Sequence, residues 1–178
     1  MNIYRIKKDL KYILINHFIM KIPSWSIRKL FLKAMGMKIG KDARIGIGTI
    51  VISPERITIG DRSIINEKCH LDGRGGLVIG KDVSISNYSI ILTASHKKSS
   101  SDFEYFENAV TIENNVWLGT RAMILDGSCL KQGSIIAAGL VYKGIAEKNK
   151  VYYPINGIRS KNRNLDNYYE LDYKAYFR

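Results

Sequence analysis

Aliphatic side chains recur at every sixth position through the middle of the chain, a period that an α-helix does not produce. The fourteen positions hold only Ile, Leu or Val: Ile39, Ile45, Val51, Ile59, Ile65, Leu71, Ile79, Ile85, Ile91, Ile112, Leu118, Ile124, Leu130 and Ile136. A six-residue repeat is typical of short flat strands joined by tight turns, three to each coil of a parallel β-helix. Residues 39–145 are therefore predicted to form an all-β solenoid of about five coils.

A small side chain often lies four positions after an aliphatic one, at Ala43, Thr49, Ser63, Cys69, Ser89, Ser95, Ala122, Ser128 and Ser134. The bulky residue would fill the interior, and the small residue would lie where the wall bends and space is limited. Cys69 and Cys129 are accordingly expected to be reduced thiols in the core, where a cysteine behaves as a small hydrophobe. Neither belongs to a CxxC motif or to a Cys/His metal spacing, so no metal is expected.

Two amphipathic helices are predicted before the repeat, in a basic extension of residues 1–38. The apolar face of the first helix would hold Ile3, Ile6, Leu10, Ile13, Leu14, His17 and Phe18, with Pro23 as its end. The second, capped by Ser24 and stopped at Gly36, would place Ile27, Leu30, Phe31 and Ala34 together. Two interpretations stay open: both helices cover one end of the solenoid and expose a charged face, or they lie on an anionic membrane surface.

The formal net charge of +12 is concentrated at the two ends of the chain. Residues 1–44 hold eleven Lys and Arg against two acidic residues, residues 45–140 hold nine against ten, and residues 141–178 hold eight against four. A neutral body argues against a nucleic-acid groove and favours ends that meet an anionic surface or ligand. Without a signal-peptide pattern or an apolar run of about 20 residues, a cytoplasmic protein is expected. Under the membrane interpretation of the helices, residues 1–22 would be in peripheral contact with the inner membrane face.

The repeat is interrupted once, by the polar segment Lys97–Val110, in which Phe103, Tyr105 and Phe106 are expected to be anchors. A loop that projects from a rigid scaffold is a frequent place for function. His96 directly precedes this loop, and histidine titrates near neutrality, which suits a general base. The alternative for His96 is a turn histidine hydrogen-bonded to backbone.

Three segments resemble the hexapeptide-repeat acyltransferases, above all the maltose, galactoside and polysaccharide O-acetyltransferases. They are Asn66 in IINEKCHLDG, His96 in TASHK and the VWLG segment Val116–Gly119. The resemblance covers about residues 39–145 and implies a left-handed parallel β-helix, a handedness that rests on the resemblance alone. It also implies a homotrimer whose active sites lie between subunits, beside the loop.

The resemblance implies an acetyl-CoA-dependent O-acetyltransferase that acts on a hydroxyl of a sugar, a nascent polysaccharide or a lipid-linked glycan. His96 would be the general base of a direct transfer, and Asn66 would position the acceptor or the acyl group. A turn asparagine in a left-handed backbone conformation is the competing explanation for Asn66. N-acetylation of an amino sugar stays open.

The family pattern also implies residues for coenzyme A. Backbone contacts would come from Gly119, Thr120 and Ala138, and phosphate contacts from Lys143 and Arg159. Trp117 is expected to be a packing residue. The sequence departs from the family pattern after Ala138, because AAGLVYKG is, counted from Ala138 to Lys143, one residue short of the family's usual continuation AGSVVTK. Tyr142 is therefore expected to disturb the last coil.

Two other functions use the same scaffold. A γ-class carbonic anhydrase-like zinc enzyme needs three histidines, and the chain has only His17, His70 and His96, which are expected at different places. A non-catalytic β-helix scaffold is the second alternative. Residues 146–178, rich in Asn and Tyr toward the end, are expected to be a short C-terminal extension.

Overall fold

The computed structural model describes residues 3–97, 99, 102–154 and 158–162. Two helices precede the strands: α1 is Ile3–Ile13, and α2 is Trp25–Ala34. Between them the chain continues as a π-helical turn, Leu14–Phe18, and a 3-10 turn, Ile19–Lys21. None of the described helices combines the length and the apolar character that crossing a membrane requires.

Short strands then wind in successive coils of three. The first three coils contain β1 (Lys38–Ile39), β2 (Arg44–Ile45), β3 (Ile50–Ile52), β4 (Ile57–Ile59), β5 (Ile64–Ile65), β6 (His70–Asp72), β7 (Leu77–Ile79), β8 (Ser84–Ile85) and β9 (Ile90–Ile91). A hairpin follows, formed by β10 (Ala94–His96) and β11 (Tyr105–Glu107). The later coils contain β12 (Val110–Ile112), β13 (Trp117–Leu118), β14 (Met123–Ile124), β15 (Cys129–Leu130), β16 (Ile135–Ile136), β17 (Val141–Tyr142), β18 (Ile145–Ala146) and β19 (Lys150–Pro154), and β20 (Ile158–Asn162) folds back on β19. A 3-10 turn, Pro54–Arg56, joins the first two coils.

The strands stack into three parallel sheets, one for each face of the solenoid. The first sheet has the order β1-β4-β7-β12-β15-β18, the second β2-β5-β8-β13-β16-β19-β20, and the third β17-β14-β9-β6-β3. Equivalent repeat positions pair directly, as Ile65 does with Ile85. The predicted left-handed parallel β-helix is confirmed, with about six turns instead of five, because β18 and β19 continue it past the last aliphatic of the repeat count.

All fourteen repeat aliphatics point into the core, and none is more than 7% exposed. The small residues lie at the corners, where the hydroxyls of Thr49, Ser63, Ser89 and Ser128 bond backbone of the next coil. Ser63 Oγ donates to the Gly80 carbonyl at 2.6 Å and accepts from the Val83 N–H at 3.0 Å. Ser95 is an exception, because the chain has already left the coil there and entered β10. Of the two free cysteines, Cys69 is buried as predicted, but Cys129 is half-exposed on the outer side of β15, so its predicted core position is wrong.

Tyr142 continues the repeat and does not disturb it, contrary to expectation. It lies six residues after Ile136, pairs with Ile124 and is buried. Its ring meets that of Tyr152 edge-on, with ring centroids 5.0 Å apart. These two aromatic rings fill the interior where the coils end.

The N-terminal helices cover the first coil, but not with the predicted apolar faces. The side chains packed on the solenoid are Ile15, Ile19, Met20, Trp25, Arg28 and Leu32. By contrast, Leu10, Ile13, Leu14, Phe18, Ile27, Leu30 and Phe31 are exposed. His17 is also exposed and meets the Tyr12 ring edge-on. The helices thus cover one end of the solenoid, as the first interpretation expects, and their outward face carries large apolar side chains as well as charged ones.

Polar groups of α2 and of the π-helical turn close the open edge of the first coil. Arg28 is fully buried and donates to the carbonyls of Ile22, Pro23 and Ile45. The Asn16 amide donates to the Val51 carbonyl at 3.0 Å and accepts from the Val51 N–H at 2.8 Å, as a neighbouring strand would. These bonds fix the orientation of the helices on the solenoid.

Candidate active site

The predicted loop is a β-hairpin that projects from the corner between the third sheet and the first sheet. His96 ends β10 and pairs with Tyr105 across the hairpin. The Lys97 N–H donates to the Glu104 carbonyl at 2.9 Å, and the Lys97 ammonium pairs with the Glu104 carboxylate. The histidine is thus carried on a paired strand and not on an unpaired loop.

Phe103 makes the closest described contacts with the His96 ring. The two rings stack with centroids 3.7 Å apart and an interplanar angle of 15°. His96 Nδ1 lies 2.6 Å from the Phe103 carbonyl oxygen, and a carbonyl only accepts, so Nδ1 carries the proton of this bond. Phe103 has a φ of 56°, the left-handed conformation that turns its carbonyl toward the ring. In the neutral imidazole, Nε2 is then the nitrogen with a lone pair.

The predicted anchors therefore act differently from expectation. Phe103 and Tyr105 are both exposed, and they contact the His96 ring instead of the core. Phe106 is half-buried. The aromatic residues of the loop hold the histidine in place more than they hold the loop to the solenoid.

A buried carboxylate ties the base of the hairpin to the solenoid. Asp72, at the end of β6, is fully buried and accepts the Thr93 N–H at 3.0 Å, one residue before β10. It also accepts the Arg74 N–H and two guanidinium N–H groups of Arg74 at 2.9 and 3.0 Å. Burial alone would raise the pKa of Asp72, but these hydrogen bonds outweigh burial, so its pKa is lowered and the group stays charged.

The same arginine continues the network outward along the hairpin. The Arg74 guanidinium lies 5.9 Å from the centroid of the Tyr105 ring, which in turn contacts His96 edge-on. The Tyr105 hydroxyl donates to Glu107 at 2.8 Å, and Arg56 pairs with the other oxygen of that carboxylate. A continuous chain of contacts thus runs from Asp72 to the ring of the proposed base.

Asn66 lies at a different corner, between the second and third sheets, directly after β5. Its Nδ2 donates to the Ile85 carbonyl at 2.9 Å. The left-handed conformation in this turn belongs to Lys68, with a φ of 57°, so that explanation for an asparagine here is wrong. A half-buried groove lies beside Asn66, lined also by Arg44, Glu67 and Asn87.

Three predicted coenzyme contacts lie along the same corner as Asn66, two and three coils further on. Gly119 follows β13, and the register Leu118–Ile136 stacks it on the next coil. A Cβ on Gly119 would lie 2.5 Å from the Ala138 nitrogen, so close stacking requires glycine there. The Thr120 carbonyl accepts the Gly139 N–H at 2.9 Å. Gly119, Thr120 and Ala138 are therefore neighbours, as a shared ligand contact requires.

The predicted phosphate contacts do not join them within one chain. Lys143 follows β17 at the corner that also carries His96, where its ammonium lies 2.9 Å from both oxygens of Asp126. Arg159 pairs through backbone with Tyr153, and its side chain lies outside the described residues. Trp117 does not pack in the core: it is exposed, and its indole N–H donates to Ser86 Oγ at 3.1 Å.

The predicted site residues thus fall on two corners with the third sheet between them. Asn66, Gly119, Thr120 and Ala138 are on one, and His96 and Lys143 are on the other. A strand of three residues spans about 10 Å. Residues of the two corners consequently do not converge within one protomer.

Neither Cys69 nor a metal cluster offers another reaction centre in the described part of the chain. Burial raises the pKa of the Cys69 thiol to about 11, so at neutral pH it is a protonated, weak nucleophile. Among the residues that the structure describes, no three His, Cys, Asp or Glu side chains come together as ligands of a metal ion would. His70 lies within β6, and burial lowers its pKa.

Comparison with known proteins confirms the resemblance to hexapeptide-repeat acetyltransferases. The chain is 28% identical over 111 residues to a proposed colanic acid biosynthesis acetyltransferase, WcaF, of Escherichia coli K12; the match covers 62% of this chain and 61% of that relative's length. It is 27% identical over 153 residues to the galactoside O-acetyltransferase of the same strain, over 83% of this chain and 75% of the relative. A solved galactoside acetyltransferase in complex with coenzyme A superposes with a TM-score of 0.75 at 25% identity, over 96% of this chain and 87% of that one. No model of a known protein family matches the chain.

Sequence reasoning missed the anchor at the base of the hairpin. Thr93 lies 21 residues after Asp72, and only the stacking of the coils brings its N–H to the Asp72 carboxylate. A signal was present: DGRGG at residues 72–76 holds two charges at a coil joint where the repeat needs none.

Proposed function

We propose that the protein is an acetyl-CoA-dependent O-acetyltransferase that acylates a hydroxyl of a sugar or a nascent polysaccharide. The observation that carries the proposal is the hydrogen bond from His96 Nδ1 to the Phe103 carbonyl. This bond assigns the proton to Nδ1 and leaves Nε2 to accept a proton from an incoming hydroxyl. The galactoside acetyltransferase in complex with coenzyme A supports the choice of acyl donor.

The proposed reaction is a direct transfer. His96 Nε2 takes the proton of the acceptor hydroxyl as its oxygen attacks the thioester carbonyl carbon. The tetrahedral intermediate then collapses, the C–S bond breaks, and the coenzyme thiolate receives the proton from the imidazolium. Asn66 would hold the acceptor or the acyl oxygen by hydrogen bonding. The raised pKa of Cys69 supports direct transfer over an acyl-enzyme at that thiol.

The active unit would be a homotrimer with shared sites. A threefold arrangement can bring the corner of one copy that carries His96 and Lys143 to the corner of the next that carries Asn66, Gly119, Thr120 and Ala138. Coenzyme A would lie along this seam, with its phosphates near Lys143 and Arg159. The separation of the two corners within one chain supports this arrangement.

Mixing two inactive variants tests the shared site. His96→Ala and Asn66→Ala, unfolded and refolded together, are expected to recover activity in about a quarter of the sites, because each recovered site takes its histidine and its asparagine from different copies. The measurement is thiol release by the mixture against each variant alone, with light scattering to verify trimers. If trimers form but the mixture shows no more thiol release than the inactive variants, one chain supplies both residues.

The acceptor class is tested by thiol release from acetyl-CoA across a panel of sugars. A relative named for colanic acid biosynthesis supports a sugar or polysaccharide acceptor. Wild-type turnover is expected with sugars that lack an amino group. The acetylated product should lose its acetyl group under mild base, as an ester does. A base-stable product formed only with amino sugars would establish N-acetylation instead. No thiol release above the acceptor-free rate with any sugar would contradict the proposed activity.

A further inference from the structure

We propose that the outward face of the two N-terminal helices docks on an anionic lipid surface. The orientation of the helices is fixed by the fold, since buried Arg28 ties α2 to Ile45 of the first coil and Asn16 ties the α1 extension to Val51. The helices therefore cannot turn their outward apolar side chains into the core without breaking these bonds.

This docking face is one apolar surface across both helices. It consists of Leu10, Ile13, Leu14, Phe18, Ile27, Leu30 and Phe31, all exposed. Phe18 is 63% exposed and Leu30 69%. A shallow groove lined by Leu14, Phe18 and Phe31 runs between the π-helical turn and α2. Monomeric proteins rarely leave so many large apolar side chains together in water, so the face has a partner.

The positive charge around the docking face favours an anionic partner. Residues 1–44 hold eleven basic residues against two acidic ones. Lys21 lines the groove beside the apolar side chains, and Lys33 is exposed on α2. Apolar side chains rimmed by lysines match the boundary between acyl chains and anionic headgroups, where each lysine gains from the negative surface potential. A second copy would bring the same positive charge to the face and be repelled.

Vesicle sedimentation with the full chain tests the docking face. The protein is expected to sediment with vesicles of phosphatidylcholine and phosphatidylglycerol, to bind phosphatidylcholine alone weakly, and to dissociate at high salt. The double variant Phe18→Ser/Leu30→Ser should bind at least about tenfold more weakly, because two apolar side chains no longer enter the interface. The variant Lys21→Gln/Lys33→Gln should lose only the salt-sensitive part of the binding to anionic vesicles.

The matched control is Ile145→Ser, an exposed apolar side chain in β18 at the other end of the solenoid, which should bind like the wild type. Thiol release with a soluble sugar should be unchanged in the double variant, so failure of docking and failure of the proposed chemistry are separate results. Absence of wild-type binding to the phosphatidylglycerol vesicles, or equal binding by the double variant, overturns the proposal. Loss of the oligomer in the double variant, seen by light scattering, overturns it in favour of a second copy.

Discussion

Replacing His96 with alanine lowers kcat for acetyl transfer by about 10²–10⁴-fold, the range that a positioned general base contributes. The side chain is half-buried, and its described hydrogen bond and ring contacts are with Phe103 and Tyr105 of the hairpin, so the coils should fold unchanged. The measurement is thiol release from acetyl-CoA with the best sugar of the panel. KM for acetyl-CoA should change little, because the base acts on the acceptor proton.

His17→Ala is the matched control, since His17 is an exposed histidine on the N-terminal helical segment, away from the hairpin. It should retain the wild-type rate with a soluble sugar. Equal rates in wild type and His96→Ala would defeat the assignment of His96 as the base, and equal rates that do not exceed the acceptor-free rate would favour a non-catalytic scaffold.

Replacing Asp72 with asparagine should destabilise the fold by about 2–3 kcal/mol, because the Arg74 guanidinium loses its charged partner and Thr93 N–H its strongest acceptor. Arg74 is 34% exposed at its side chain, which keeps this loss below that of a fully buried pair. We also expect kcat to fall by about 10–100-fold, since a displacement of the hairpin by about 1 Å misplaces the base. Asp72 is in this respect a positioning residue.

Asp82→Asn separates positioning from stability. Asp82 is also buried and also bonds an arginine through both oxygens, with Arg62 at 2.7 and 2.6 Å, but it lies at the corner between the first and second sheets. Urea unfolding should give similar losses for the two variants, whereas kcat should fall only for Asp72→Asn. A parallel fall of kcat in both would show that Asp72 acts through general stability alone.

The scaffold could be predicted from sequence because each coil repeats one local solution. The fourteen inward positions up to Ile136 hold bulky aliphatic side chains, so Ile45, Ile65 and Ile85 carry the same information, and the register follows by counting. The count stopped one coil early because Tyr142 and Ala146 take the inward positions that aliphatics held before.

The helices and the site were harder to predict because their contacts are not periodic. Amphipathic spacing finds an apolar face, but it does not tell whether Leu30 or Leu32 meets the solenoid, and here buried Arg28 decides the matter. Likewise, the repeat gives His96 its place at the loop, while the proton on Nδ1 depends on the backbone of Phe103, seven residues later.

The Asn16 amide has a further consequence for the whole molecule. A parallel solenoid has no intrinsic length, because the backbone of its last coil always offers a template for another strand. At one end Asn16 occupies both hydrogen-bonding groups of Val51, and at the other the antiparallel β20 covers β19. These two contacts occupy strand edges on which a further coil could otherwise pair, so they oppose end-to-end growth of the stack.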